Sequence, residues 1–122
     1  MNTLEIMVGE SGRTMLENWG HVLDSALKNN TVVPYFSVGF TNMAQFGAVF
    51  TPKRWELVEA LKTSGPLTIY ALAKQLNRHY RNVHKDVTAL MEWRVIEKDE
   101  ENKVFVPWDE IDVRWPLLKQ AA

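Results

Sequence analysis

The sequence predicts an α+β fold, and three patterns along its 122 residues lead to that prediction. Apolar and polar residues alternate over short stretches near both ends of the sequence, which is typical of β-strands. In other segments, apolar residues recur at three- and four-residue steps, which is typical of amphipathic helices. A polar run at residues 99–102 separates two short apolar stretches and predicts a hairpin. A chain of this length fits one domain, and its 46% of hydrophobic residues supply enough apolar side chains for a single core.

The composition favours a protein of a reducing compartment. There is no cysteine, which excludes disulfides, thiolate metal sites and a cysteine nucleophile. No run approaches the ~20 apolar residues that a membrane span needs, and the N-terminal residues lack the basic and then apolar pattern of a signal peptide. We therefore expect a cytoplasmic protein without membrane contact.

Residues 1–50 predict a strand-helix-strand extension. Thr3–Val8 alternates as a half-buried strand does, residues 11–29 have helical spacing, and residues 32–40 are β-branched and aromatic. A short helix and connector follows at residues 41–50. The predicted helix carries a long apolar stripe, from which we expect a homodimerisation surface. The stripe consists of Met15, Trp19, Leu23 and Leu27.

Residues 51–108 predict three helices and a hairpin. Thr51 precedes Pro52, a combination that starts helices, and Thr68 is placed to begin a second, shorter helix. A third helix is predicted from about Tyr80 to Trp93, with four residues at core spacing, namely Val83, Val87, Leu90 and Met91. Two strands at residues 95–97 and 103–106 would form the hairpin. This is the element order of a winged helix-turn-helix, and residues 109–122 are expected to add a C-terminal strand or tail.

The charges are unevenly distributed, although the net charge is only −1. Residues 74–85 contain four basic residues and no carboxylate: Lys74, Arg78, Arg81 and Lys85. Such a stretch can bind phosphates locally when the average charge cannot. Four basic residues in twelve can equally be an ordinary solvated surface, and the surrounding helix and hairpin pattern is what favours the DNA-binding interpretation.

The third helix supplies most of the candidate DNA-binding residues, because a helix-turn-helix places the start of this helix in the major groove. Arginine can bond guanine and asparagine can bond adenine, which suits Arg81 and Asn82 to base edges. Tyr80 and Lys85 suit phosphate oxygens. Lys98 and Lys103, at the hairpin, are assigned to the backbone or minor groove, although the three acids between them oppose that role. The full candidate set is Arg78, His79, Tyr80, Arg81, Asn82, His84, Lys85, Lys98 and Lys103.

Other kinds of site receive little support from the sequence. His79 and His84 have no carboxylate or cysteine at ligand spacing, so we expect no metal. No phosphate-cradling glycine loop and no serine and histidine pattern is present, so we expect neither a cofactor nor an enzyme. Three of the five tryptophans lie on apolar stripes and are expected in the core or an interface rather than stacked on bases: Trp19, Trp55 and Trp93. The sequence assigns Trp108 and Trp115 to neither role.

Several runs along the sequence form a recognisable set: Phe50-Thr51-Pro52-Lys53-Arg54, Leu72-Ala73, Leu76, Tyr80-Arg81-Asn82-Val83-His84-Lys85-Asp86-Val87, Ala89-Leu90, Ile96-Glu97 and Val106-Pro107-Trp108-Asp109-Glu110-Ile111. Together they resemble a haloarchaeal-type family of prokaryotic DNA-binding proteins that is commonly filed among MarR-like winged-helix transcriptional regulators. The resemblance covers nearly the whole chain, and its most specific element is the run beginning at Tyr80. Two departures stand at helix ends: Trp93-Arg94 replaces a turn such as leucine-glycine, and Asn77 replaces a common glycine.

The resemblance implies sequence-specific binding of double-stranded DNA and regulation of transcription, with a repressor as the expected role. A homodimer would present two recognition helices one DNA turn apart. Some relatives resemble antitoxins that repress their operon and hold a small toxin. The alternative is therefore a protein-interaction module that binds a toxin or another subunit, with DNA binding secondary.

Overall fold

The computed structural model describes residues 2–9 and 35–117. The helix predicted over residues 11–29, the start of the second predicted strand and the tail after residue 117 lie outside these residues. The described elements are β1 (Thr3–Val8), β2 (Tyr35–Phe40), α1 (Met43–Val49), α2 (Pro52–Ser64), α3 (Ile69–Leu76), α4 (Tyr80–Glu92), β3 (Glu97–Lys98), β4 (Val104–Phe105) and β5 (Glu110–Arg114). This confirms the α+β class. No helix in the described ranges is long and apolar enough to cross a membrane.

The chain forms two compact units, where the length alone favoured a single core. Residues 49–107 make one continuous unit. Residues 1–48 and 108–122 make the other, so the unit contains both the N-terminal extension and the C-terminal strand of the sequence prediction.

A parallel sheet organises the first unit. Its strand order is β2-β1-β5, and β1 pairs in parallel with both neighbours. The register places Thr3 opposite Tyr35 on one side and opposite Glu110 on the other. Where β1 begins, the backbone N–H of Asn2 donates to Asp109 Oδ2 at 3.0 Å, and the N–H of Asp109 donates to the Asn2 carbonyl at 2.8 Å. These two bonds fix the register of β5 at its first residue.

Strand β1 is more buried than its sequence predicts. Leu4, Ile6 and Val8 are fully buried, as the alternation indicates. Met7, expected on the polar side with Thr3 and Glu5, is also buried, at 1% exposure. A central strand of a parallel sheet is commonly covered on both faces, and this accounts for the difference.

The second unit packs α2, α3, α4 and the hairpin around a common apolar core. Its fully buried residues come from each of these elements and from the segment after α4: Leu57, Leu61, Leu72, Val83, Val87, Leu90, Val95 and Val104. The hairpin strands are shorter than predicted, and Leu67 adds a pairing that the sequence did not reveal. The Leu67 and Val104 backbones exchange two hydrogen bonds, of 3.1 and 2.7 Å. This bridge ties the segment between α2 and α3 to the hairpin.

The hairpin tip is held by the Asp99 side chain. Its Oδ1 atom accepts hydrogen bonds from the N–H groups of Glu101 at 2.9 Å and Lys103 at 3.0 Å. Asn102 has φ 65°, a left-handed conformation that asparagine tolerates better than most residues. A turn followed by one left-handed residue is a common three-residue hairpin loop.

The two departures from the resembled family both adopt left-handed backbone. Asn77 ends α3 at φ 54°, and Arg94 follows α4 at φ 64°. Glycine adopts this conformation without steric cost, which explains why the resembled family has glycine at the positions of Asn77 and Arg94. Asparagine retains much of that tolerance, whereas an arginine there is strained.

The tryptophans of the described residues differ in exposure. Trp55, predicted on an apolar stripe, is half-buried and stacks on the buried Phe50 ring with centroids 4.7 Å apart. Trp93 and Trp108 are half-buried, whereas Trp115 is 49% exposed. Trp19 lies outside the described residues.

Threonine hydroxyls cap two helices, as the sequence predicts. Thr51 Oγ1 accepts from the N–H of Arg54 at 3.3 Å, and Thr68 Oγ1 accepts from the N–H of Ala71 at 3.1 Å. Each hydroxyl satisfies a backbone donor that the helix itself cannot pair.

We expect Thr68→Ala to lower the free energy of unfolding by about 1 kcal/mol, because α3 then loses its cap. Urea unfolding followed by circular dichroism measures the change. Thr63→Ala is the matched control: Thr63 is exposed within α2, where alanine is the better helix former, so no loss is expected. Equal stability losses in both variants would contradict the capping role.

Candidate functional site

Helix α4 presents a polar outer face opposite its buried side. Val83, Val87 and Leu90 are each 0% exposed and fix which side of the helix meets the core. The outer face of α4 is formed by five exposed residues of its first two turns: Tyr80, Arg81, Asn82, His84 and Lys85. Five of the nine predicted site residues therefore share one exposed helical surface.

One acid in these turns, Asp86, is held by two arginines. Its Oδ1 atom accepts from Arg54 Nε at 3.0 Å, and its Oδ2 atom accepts from Arg78 Nη2 at 2.7 Å. All three side chains are largely buried: Arg54 is 12% exposed, Arg78 20% and Asp86 13%. Arg54 Nη1 also donates to the Val49 carbonyl at 2.8 Å. This cluster joins α2, α4 and the turn between α3 and α4.

The cluster changes the electrostatics of the outer face. Two guanidinium groups surround Asp86, so its carboxylate does not offset Arg81 and Lys85 nearby on α4. Sequence reasoning missed the cluster because Arg54 and Asp86 lie 32 positions apart, and nothing in the sequence connects them.

Arg78 therefore differs from the other candidate residues. Its guanidinium is directed to Asp86, and its Nη1 atom is buried with no hydrogen-bond partner among the described residues. Its backbone N–H donates to the Ala73 carbonyl at 3.0 Å, just after α3 ends. The geometry gives Arg78 a part in holding the turn before α4.

The N-terminus of α4 lacks the cap found on α2 and α3. His79 occupies the cap position without a side-chain hydrogen bond, while its carbonyl accepts from the N–H groups of Asn82 and Val83, both at 3.1 Å. An open cleft of about 520 Å³ lies here, lined by His79, Tyr80, Arg81 and Asn82. The helix dipole makes this end electropositive, which favours an anion.

A second open cleft, of about 410 Å³, adjoins the first on the α3 side. Its wall includes Tyr70 and Lys74, together with Tyr80. Lys74 Nζ lies 5.3 Å from the centroid of the Tyr70 ring, a cation–π distance. Tyr70 and Tyr80 are 61% and 50% exposed. Tyr70 is not among the residues predicted for the site, although its spacing of four residues from Lys74 places both on one face of α3.

The two hairpin lysines occupy a different surface. Lys98 is exposed on β3, and Lys103 Nζ lies 3.3 Å from Glu101 Oε2 in an ion pair open to solvent. Glu100 and Glu101 are exposed at the tip. The carboxylates lower the positive potential of this hairpin, whereas the five residues of the outer face of α4 include no carboxylate.

Residues 49–113 match the model of the HVO_A0114 family. The matched stretch contains α2, α3 and α4 complete, the last residue of α1, both hairpin strands and most of β5. No curated protein and no solved structure matches the chain. The matched stretch includes the whole Arg54, Asp86 and Arg78 cluster. Because the match covers more than half of the 122 residues, the chain belongs to the HVO_A0114 family.

Proposed function

We propose that residues 49–107 form a winged helix-turn-helix that binds double-stranded DNA sequence-specifically, and that the protein is a transcriptional regulator acting as a repressor. The observation that carries this proposal is the outer face of α4, whose exposed residues are polar or basic. The element order of α2, α3, α4 and hairpin is compatible with the fold. In this proposal α4 is the recognition helix and enters the major groove.

The residues of the outer face divide into base-reading and phosphate-binding groups. Arg81 is long enough to fork onto guanine O6 and N7, and Asn82 carries the donor and acceptor that match adenine. Tyr80 and Lys85 bind phosphates, since a hydroxyl or an ammonium group bonds an anionic oxygen without distinguishing bases. His79 and His84 flank these contacts.

The second cleft extends the phosphate contacts to α3. In a helix-turn-helix the helix before the recognition helix crosses the DNA backbone, and Lys74 is the basic residue on that element. Tyr70 holds the Lys74 ammonium near its ring and limits the freedom of the long side chain. Arg78 acts indirectly, because it positions the start of α4 through Asp86.

The test is fluorescence-anisotropy titration of the protein against random duplex DNA and against the fragment upstream of its own gene, across a salt series. We expect tighter binding to the upstream fragment, with an affinity that falls steeply as salt rises, because phosphate contacts release counterions. No binding to either duplex at low salt would overturn the proposal.

Arg81→Ala is expected to weaken binding to the preferred sequence by about 1 to 3 kcal/mol, because the bidentate contact to a base is lost. Lys85→Ala is the matched variant, since it is expected to weaken specific and random duplexes alike and to reduce the salt slope by about one unit. Anisotropy titrations on both duplexes measure these effects. Identical profiles for the two variants would contradict the division into base-reading and phosphate-binding residues.

The acidic residues at the hairpin tip support a second candidate function. Glu100 and Glu101 are exposed where a wing would approach DNA, and carboxylates repel phosphates. The same pair suits a basic surface on a protein, so the alternative is an antitoxin-like module that binds a toxin or another subunit. Under that function the titrations would detect no sequence preference, and Arg81→Ala would leave partner binding unchanged.

A further inference from the structure

In the parallel sheet of the described strands, β5 forms an edge, and apolar as well as charged side chains are exposed on it and just after it. Among the described strands, β5 has a single neighbour, β1. The described residues include five large exposed hydrophobic side chains, and three of them lie on or just after β5: Val113 at 40%, Trp115 at 49% and Leu117 at 76% exposure. An exposed apolar edge is a template for pairing with another strand.

The charges of β5 are arranged to permit such pairing. Proteins commonly protect an edge with charged side chains. Charges of one sign repel a second copy of the strand, whereas charges of both signs can pair across it. Here Glu110, Asp112 and Arg114 lie at every second position on one side of β5, so its charges are of both signs. Ile111, Val113 and Trp115 alternate with them. Opposite charges at this spacing attract each other when two copies of the strand run antiparallel.

We propose that β5 pairs antiparallel with β5 of a second copy of this chain, on a two-fold axis at Val113. This register places Asp112 opposite Arg114 of the partner subunit, and Arg114 opposite the partner's Asp112. It also places Ile111 opposite the partner's Trp115. The Asp112 and Arg114 pair and the Ile111 and Trp115 pair therefore each occur twice, Val113 faces its own copy once, and Glu110 lies opposite the partner's Pro116. The two sheets of β2, β1 and β5 become one continuous sheet.

Neighbouring registers fit less well. An axis at Asp112 would place two carboxylates face to face, and an axis at Arg114 would do the same with two guanidinium groups, both of which destabilise a strand pair. The Val113 register also closes on itself, as a two-fold interface requires. This interface lies on β5, whereas the dimer surface expected from the sequence lies on the helix predicted at residues 11–29. The proposal does not depend on DNA binding.

The first test is a charge swap read by sedimentation equilibrium without DNA. We expect the native chain to associate at micromolar concentration with twice the 14.1 kDa mass of one chain. Arg114→Asp should raise the dimer dissociation constant by roughly tenfold, because two attractive pairs become repulsive. The double variant D112R/R114D should restore it, since the pairs re-form with their signs exchanged. A native monomer, or a double variant no tighter than Arg114→Asp, would overturn the proposed register.

The second test uses the absence of cysteine from the sequence. Val113→Cys introduces one thiol at the proposed axis, where it faces its own copy at disulfide distance. We expect a covalent dimer on mild oxidation. Glu110→Cys is the matched control, because this register separates the two thiols by roughly 20 Å along antiparallel strands. Crosslinking of Glu110→Cys but not Val113→Cys, or of neither, would overturn the proposal, and circular dichroism verifies that both variants are folded.

Discussion

Replacing Asp86 with alanine is expected to lower the free energy of unfolding by about 3 kcal/mol. The carboxylate accepts from Arg54 at 3.0 Å and from Arg78 at 2.7 Å, and all three side chains are mostly buried. Without it, two guanidinium groups remain close together with their shared partner gone. Removing one member of such a cluster costs more than an exposed ion pair would, because the remaining charges are poorly solvated. Urea unfolding measures the loss.

Glu92→Ala is the matched control, because Glu92 is an exposed acid of the same helix. A surface change of this kind is expected within about 0.5 kcal/mol of the native chain. A further variant, R54M/R78M/D86L, replaces all three charged groups with apolar ones, and we expect it to recover much of the loss. An Asp86→Ala protein as stable as Glu92→Ala would show that the cluster does not hold the three segments together.

Ile6→Ala is expected to destabilise the protein by about 2 to 5 kcal/mol, the range for truncating a large buried aliphatic side chain. Ile6 is 0% exposed in the central strand, and its register partners are Val38 on β2 and Val113 on β5. The truncation removes apolar contacts and leaves a cavity between neighbours that the sheet prevents from closing. Urea unfolding at one fixed protein concentration measures the change.

Ile6→Val provides the graded control. It removes one methylene group, and about 0.5 to 1.5 kcal/mol of destabilisation is expected. A loss that grows from valine to alanine would confirm that packing at this position determines the effect. Equal losses for the two variants would instead indicate a change in the backbone of β1.

Local signals in the sequence predict the elements of the second unit well. Thr51 and Thr68 mark helix starts through a hydroxyl that acts within three residues. The spacing of Val83, Val87 and Leu90 correctly identifies the buried side of α4. Once the buried side of α4 is known, the candidate residues on its exposed side are known as well. These features depend on neighbours in the chain, so the sequence is sufficient to predict them.

Features that depend on distant residues were not predicted. The alternation in β1 indicates a strand but not which strands flank it, so the burial of Met7 was missed. The position of Arg78 in a basic stretch at the start of α4 predicts a DNA contact, but the sequence does not reveal its ion pair with Asp86, which forms only once the turn before α4 is folded. The pairing of Leu67 with Val104 was missed for the same reason, because one residue of that bridge lies outside any regular strand.

The position of β5 beside β1 sets an order of events during synthesis. Their pairing joins residues 107 positions apart, as in the bond from Asn2 to Asp109, whereas residues 49–107 form a unit from one continuous segment. Domains generally fold as units while the chain emerges, and distant pairings close slowly. We therefore expect the segment carrying α4 to be folded before β1 acquires its second neighbour. Until residues 110–114 leave the ribosome, one edge of β1 lacks the strand that covers it in the native sheet, and an uncovered edge can pair with another chain and aggregate.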